Sequence, residues 1–333
     1  MYPLSVTIYD IAKEAGVSGS TVSRVLNGKP GVNAQTRKKV QALLETHHFF
    51  ANEAARGLVM QTPRMMGILV ADIRNSHYAE GAYLIAQEFA NHGYGALICN
   101  TGDDDPSKVD SLRVLASRRV DGVALIGSTF QCDAVRDALQ LYFATTPVVI
   151  ANGYVDLPQA YGVVADEAEG IASCVRLLLG QGRRHLAFVN GTDTPSNRIK
   201  QQGFLNEVGK DPSVTSYVIQ ASSSEYQAGY DATASLLVQH PQVDGIIYAV
   251  DLLAAGGLRA VRDAGRNVPD SVAVIGVDNS PYAYVTTPRL TSLDTKLGEL
   301  SLGCARALVD AVEGKPGKKK QVIVSSIVLR ETT

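Results

Sequence analysis

A chain of 333 residues, 45% hydrophobic and 19% charged, has globular composition and length for about two domains, which excludes disorder along most of it. No stretch approaches the ~18 uninterrupted apolar residues that a membrane span needs; residues 1–10 reach Asp10 before any apolar run, unlike a secretory signal; and Cys99, Cys132, Cys174 and Cys304 form no CxxC pair, which suits a reducing cytoplasm. The net charge of −2 hides an asymmetry: residues 1–62 carry seven Lys/Arg against four Asp/Glu, a net +3 that leaves −5 for the remainder, as for a small basic head that meets a polyanion at one end of an acidic body.

Residues 1–60 contain no strand-like run and read as three short helices. Thr7-x-x-Asp10 is a helix start in which the Thr7 hydroxyl caps free N–H groups, and Ile11, Ala12 and Ala15 form an apolar face behind it. Gly16 permits a sharp turn and Val17 packs. Ser18 caps a second helix carrying Val22, Val25 and Leu26 inward, and Asn33 a third with Val40, Leu43 and Leu44 inside.

From Met66 the pattern changes. Short Val/Ile/Leu runs start at 67, 96, 122, 147, 161, 186, 216, 245 and 272, spaced like βαβ units. Between them lie amphipathic stretches such as 79–90, where Ala82, Ile85, Ala86 and Phe89 recur at helical spacing opposite Glu80, Gln87 and Glu88. Continuous apolar strands are the mark of parallel sheets buried on both faces. The runs divide into two series, about 66–160 and 161–290, each predicting a doubly wound sheet, with a crevice at the carboxyl ends of the strands. The tail predicts a helix over 300–313, a lysine-rich turn and one last strand over 321–329.

A helix, a glycine turn and a second helix that starts with small polar residues make a helix-turn-helix, whose second helix enters the DNA major groove by its N-terminal end. Ser18, Gly19, Ser20, Thr21 and Ser23 are short enough for that end to approach the bases closely. Arg24, one turn on, reaches a phosphate or a guanine edge. No GxSxG, HExxH, SxxK, GxGxxG or P-loop pattern is present, so neither catalysis nor a cofactor or metal is expected.

The run Val6-Thr7-Ile8-Tyr9-Asp10-Ile11-Ala12-Lys13-Glu14-Ala15-Gly16-Val17-Ser18, continuing through Gly19-Ser20-Thr21-Val22-Ser23-Arg24-Val25-Leu26-Asn27, resembles the signature of the lactose-repressor/galactose-repressor (LacI/GalR) family. So do Val32 to Arg37, Asn52 to Leu58, Arg119-Val120-Asp121-Gly122 and Ile275-Gly276-Val277-Asp278. The resemblance implies an α/β protein in three parts: an all-α helix-turn-helix headpiece over 1–50, a hinge over 51–62, and an effector-binding and dimerisation domain over 63–333. That domain is expected to hold two doubly wound parallel-sheet subdomains like those of periplasmic binding proteins, about 63–160 plus 291–318 and about 161–290 plus 319–330.

Carried over residue by residue, the resemblance puts Gly19 and Ser20 where operator-discriminating side chains project. It makes Arg24 a base or phosphate contact, and Thr7, Tyr9, Ser18, Thr21, Asn27, Asn33 and Thr36 backbone-positioning residues. Gly19 departs from the commoner pattern of a side chain at that position, so selectivity there falls to Ser20, Arg24 and DNA shape. Ala54 to Leu58 resembles the hinge helix, with Ala55 and Leu58 at the minor groove and Leu58 as a wedge. A helix so short is expected to order only on DNA.

In the cleft the resemblance implies Tyr78 as an aromatic wall, Arg198 as a hydroxyl clamp and Asp278 as the carboxylate facing it, with Asp166 and Glu169 at the border and Asp72 as a further effector-binding candidate. Val250 stands where sugar-sensing members carry an amide, which points to a smaller, less hydroxylated or differently oriented effector. His77 is a candidate for an anionic group. The expected protein is a cytoplasmic, nucleoid-associated homodimeric repressor that binds double-stranded palindromic operator DNA and answers to a small-molecule effector, of carbohydrate type, with no membrane partner. The alternatives are a corepressor-dependent regulator of a non-sugar metabolite, or a solute-binding protein. No heptad helix follows the last strand, so a dimer is expected rather than a tetramer.

Overall fold

A computed structural model describes residues 6–26, 28–47, 49, 64–315 and 317–333. The expected positions Asn27, Ala55 and Leu58, and the hinge as a whole, lie outside the described residues. The chain divides into two compact units, Met1–Pro63 and Arg64–Thr333.

The first unit is three helices, α1 (Ile8–Ala15), α2 (Gly19–Leu26) and α3 (Ala34–Thr46). Each start is set by the cap the sequence offers. The Asp10 amide donates to the Thr7 hydroxyl while the Thr7 amide donates to the Asp10 carboxylate at 2.8 Å, a complete capping box. The Thr21 amide donates to Ser18 Oγ at 3.2 Å, and the Thr36 amide to Asn33 Oδ1 at 2.8 Å. Gly16 closes α1 in the left-handed conformation (φ 70°), which lets the chain reverse into α2 without a Cβ penalty. Ile11, Val22 and Val40, one from each helix, are wholly buried together.

The second unit holds two six-stranded sheets. Its first lobe begins β1 (Met65–Val70), α4 (Ser76–Asn91), β2 (Gly95–Asn100), α5 (Asp105–Ser117), β3 (Gly122–Ile126), α6 (Asp133–Tyr142), β4 (Val148–Ala151) and β5 (Ala160–Ala165). The second runs α7 (Glu167–Gly180), β6 (His185–Asn190), α8 (Pro195–Val208), β7 (Thr215–Gln220), α9 (Tyr226–Gln239), β8 (Gly245–Tyr248), α10 (Asp251–Asp263), β9 (Ala273–Val277), α11 (Pro281–Val285) and β10 (Thr291–Asp294). The tail adds α12 (Leu297–Val312), β11 (Lys320–Ile323) and β12 (Ser326–Val328). Sheet order is β11-β5-β4-β3-β1-β2 in one lobe and β12-β10-β9-β8-β6-β7 in the other, parallel throughout except β10 with β12. Strands β3, β4, β8 and β9 are buried along their whole length, because helices cover both faces.

The subdomain division differs from the expected one in three places. Strand β5, expected to open the second series, pairs with β4 in the first sheet (Val148 opposite Ala160). Strand β10, expected in the first lobe, lies on β9 in the second (Thr291 opposite Ile275). The single last strand is two, β11 on β5 and β12 on β10. Chain order does not decide membership here. A strand joins whichever sheet still has an open edge to satisfy its N–H and C=O groups, and the chain therefore passes between the lobes three times.

Candidate functional site

In each lobe the strand order reverses beside the first strand, so a crevice opens at the carboxyl ends of β1 and β3, and of β6 and β8. The segments that leave those ends bring the functional groups together. After β9 the chain enters two successive left-handed residues, Asp278 (φ 100°) and Asn279 (φ 50°). That strain is held by Asp251, at the start of α10. Its carboxylate accepts from the Ser280 amide at 2.7 Å, the Ser280 hydroxyl at 2.9 Å and the Ser292 hydroxyl at 2.6 Å. It can lie so close to β9 only because residue 276 is glycine; a Cβ there would run into Asp251 Oδ1. Asp251 is 1% exposed. Burial, and then the negative charge of Asp278, push its carboxyl up to about 7, although the serine donors pull the other way.

Asp278 itself faces a cavity of about 800 Å³ together with His77, Glu80, Tyr284, Lys296 and Glu299. His77 Nδ1 stands 3.8 Å from Asp278 Oδ1 and, among the described residues, has no hydrogen-bond partner. Of the six expected cleft residues, Asp278 alone lines this cavity. The Tyr78 ring packs against Gly127 behind it, and burial, ahead of the charges of Asp103, Asp278 and Asp72, pushes its hydroxyl up to about 12. Asp72 is engaged by its neighbour: Arg74 donates to it at 2.6 Å, and these hydrogen bonds hold the carboxyl down at about 2. Asp166 caps α7 by accepting from the Glu169 amide.

Arg198 pairs with Asp193 at 2.6 Å on the surface, with its side chain 59% exposed. Two residues on is 200° around the helix, so Lys200, not Arg198, points inward. It is 3% exposed.

Lys200 belongs to a buried network that the sequence reading did not identify. Its ammonium lies 3.5 Å from Glu167 Oε1 and donates to the Ala249 carbonyl at 3.1 Å. Glu167, also 3% exposed, accepts from the Ser196 hydroxyl at 2.6 Å and from Asn152 Nδ2 at 3.0 Å. The Ser196 amide donates to Ser128 Oγ at 3.1 Å. Ser128 and Asn152 come from the first lobe, and Glu167, Ser196 and Lys200 from the second, so the network joins the two. A signal was available: Ser196, Asn197, Lys200, Gly203, Phe204 and Glu207 form one buried stripe of α8, and a lysine in such a stripe requires a partner.

In the first unit the α2 N-terminus carries a closed set of hydroxyls. Ser18 Oγ lies 2.8 Å from Ser20 Oγ and 2.9 Å from Thr21 Oγ1. Tyr9 is 76% exposed and its ring lies beside Gly19, where a Cβ would meet it at an ordinary 3.4 Å. Arg24 is exposed. Thr7, Ser18 and Asn33 act here as helix caps, and Thr36 supplies the amide that Asn33 receives.

Residues 7–52 match the lacI family of bacterial regulatory proteins, and residues 175–333 match the periplasmic binding protein-like domain. Catabolite control protein A of Priestia megaterium is 31% identical over 330 residues, covering 98% of this chain and 96% of its own. The chain belongs to the LacI family. The ribose operon repressor of Halalkalibacterium halodurans is likewise 31% identical, covering 98% and 97%. The lac repressor dimer bound to operator and the anti-inducer ONPF superposes with a TM-score of 0.91 at 21% identity, covering 99% of both chains, and shares the fold. A transcriptional regulator CelR–cellobiose complex superposes at 0.70 with 25% identity, covering 98% of this chain and all of the other. As a LacI-family member this chain is an HTH-type, DNA-binding transcriptional regulator. Its relatives are regulators rather than enzymes, and among the described residues no helix is long and apolar enough to cross a membrane.

Proposed function

We propose that this LacI-family protein is a cytoplasmic repressor that binds a palindromic operator as a homodimer and is controlled by a small-molecule effector in the cavity at Asp278. The observation that carries this reading is the pairing of two features in one chain. One is a three-helix unit whose α2 offers short hydroxyl side chains at its N-terminal end and an exposed Arg24 in its last turn. The other is a two-lobed unit whose cavity and buried polar network draw residues from both lobes. The relatives supply the chemistry at each end: the lac repressor dimer is bound to operator, and the CelR neighbour holds cellobiose.

In this reading Gly19, Ser20 and Arg24 face the bases and their phosphates. Tyr9 and Thr21 fix the approach, Thr7, Ser18, Asn33 and Thr36 hold the helices in position to make it, and Asn27 adds a backbone contact. Residues 51–62 connect the units, with Ala55 and Leu58 meeting the minor groove. Effector and operator are coupled through the same protein, so each must change the affinity of the other by the same factor.

The test is operator binding by Arg24→Ala, by gel shift over a salt series. A base-contacting arginine should cost about 1–3 kcal/mol, and a phosphate contact should lower the salt slope by about 1. Effector affinity should stay as it was. Unchanged operator affinity and slope would remove Arg24 from the interface.

A further inference from the structure

The lining of the cavity is lopsided in charge. Four carboxylates, Glu80, Asp278, Asp294 and Glu299, face it against one ammonium, Lys296. That ammonium is already taken, 3.0 Å from Asp294. Among the described residues neither Glu80 nor Glu299 has an ion-pair partner, and the one basic group within 4 Å of the Asp278 carboxylate is the His77 ring at 3.8 Å, beyond hydrogen-bond reach. Immediately behind Asp278 lies Asp251, whose three donors are all neutral groups of Ser280 and Ser292. Arg330 is engaged elsewhere: it donates to Asn279 Oδ1 and the Leu290 carbonyl and covers the Tyr284 ring at 4.2 Å.

We propose that the effector of this cavity is a protonated amine carrying hydroxyls, of the amino-sugar class, whose ammonium sits on Asp278. The inference rests on the reading of the cavity as the effector site and specifies its ligand. Two carboxylates stacked without a cation leave a negative field that an ammonium would neutralise and that a phosphate or carboxylate would worsen. The rise of the Asp251 carboxyl, caused in part by Asp278, is the mark of that field. The orphaned His77 Nδ1 and the side chains of Ser76 and Ser280 on the wall offer partners for hydroxyls, while Leu84, Pro281 and Leu297 offer apolar contact to the C–H faces of a ring. Against this charge pattern His77 does not make the cavity an anion site.

The experiment uses the full chain and three matched probes: D-glucosamine and D-galactosamine, the parent hexoses, and the hexose 6-phosphates. Calorimetry and thermal shift should show the amines binding at least about tenfold more tightly than the hexoses, and the phosphates not binding. In Asp278→Asn the preference for amine over hexose should fall to within about twofold; Glu80→Gln, at an exposed position where no buried contact is lost, should reduce it by a smaller factor. Equal or tighter binding of the hexoses or phosphates, or no binding of either amine, overturns the inference. Operator release is scored with every probe. If a neutral hexose binds as tightly as its amine, or more tightly, and alters operator affinity, the effector-controlled repressor stands and the amine assignment falls. If bound probes never alter operator affinity, the repressor reading itself falls.

Discussion

Glu167 and Asp251 are both almost sealed from water, yet their regions solve the same problem in opposite ways. At the junction of the lobes, Glu167 faces an ammonium, Lys200, and completes its shell with a serine and an asparagine from elements on both sides. Inside the second lobe, Asp251 has hydroxyl and amide donors only, and another carboxylate for a neighbour. An ion pair and neutral hydrogen bonds respond differently to mutation and to protons. The first region should be sensitive to losing a partner, and the second to pH. A network with one partner in each lobe also makes the relative placement of the lobes depend on bonds that form together, whereas the Asp251 cluster fixes only the local path that aims Asp278.

The largest effect expected is therefore from breaking the pair. Glu167→Ala leaves the Lys200 ammonium buried without its counter-charge and should destabilise the second unit by about 3–5 kcal/mol in denaturant unfolding. The double change Glu167→Gln with Lys200→Met removes both charges and should recover most of that loss. If the double variant is as unstable as the sum of its singles, the two charges do not act as a pair.

Asp251 gives the next effect, with the sign fixed by its raised carboxyl. The folded value is about 7 against an ordinary 3.8, so the native state holds the proton more tightly than the unfolded chain does. Stability from this group is complete below about pH 4, declines as pH rises through 7, and is flat above it. The span corresponds to about 4 kcal/mol at ~1.4 kcal/mol per unit. Asp251→Asn should abolish this component of the pH dependence, because the amide oxygen still accepts from Ser280 and its NH2 can donate to Ser292. Were the wild type and Asp251→Asn to show parallel stability curves from pH 4 to 8, the charge of Asp251 would not be what distinguishes this region.

The same contrast explains what the sequence made legible. Thr7 with Asp10, Ser18 with Thr21 and Asn33 with Thr36 are each three residues apart, and a cap is a local bargain between a side chain and the next turn. The headpiece could therefore be read residue by residue, and the strands, recognisable by continuous burial, nearly as well. Glu167 reaches 29 residues to Ser196, and Asp251 reaches 41 to Ser292. No spacing rule announces such pairs, since they depend on which sheet edge takes β5 and β10. Asp278, which follows a strand end at the crevice, lines the cavity. Arg198 lies at the surface, paired with Asp193 five residues before it, while Lys200, on the opposite face of α8, goes inside. Asp251 stood in view beside Val250, but its task as a clamp on the chain at Ser280 appears only once β9 and β10 lie side by side.

The smallest effect tests how the neutral donors share the load at Asp251. Ser292 Oγ gives the shortest of its hydrogen bonds, 2.6 Å, and pulls the carboxyl downward against burial. In Ser292→Ala that restraint is lost, the folded-state carboxyl rises further, and the decline in stability with pH should extend above 7. The variant should differ from wild type by about 1–2 kcal/mol at pH 8 but by less at pH 4, since a hydrogen bond to a charged group contributes more than one to its neutral form. The same serine also accepts from the Asn279 amide at 2.9 Å, so some pH-independent loss is expected beneath the difference. A loss of equal size at both pH values would assign Ser292 wholly to the Asn279 turn and leave the Ser280 donors alone to hold the Asp251 charge.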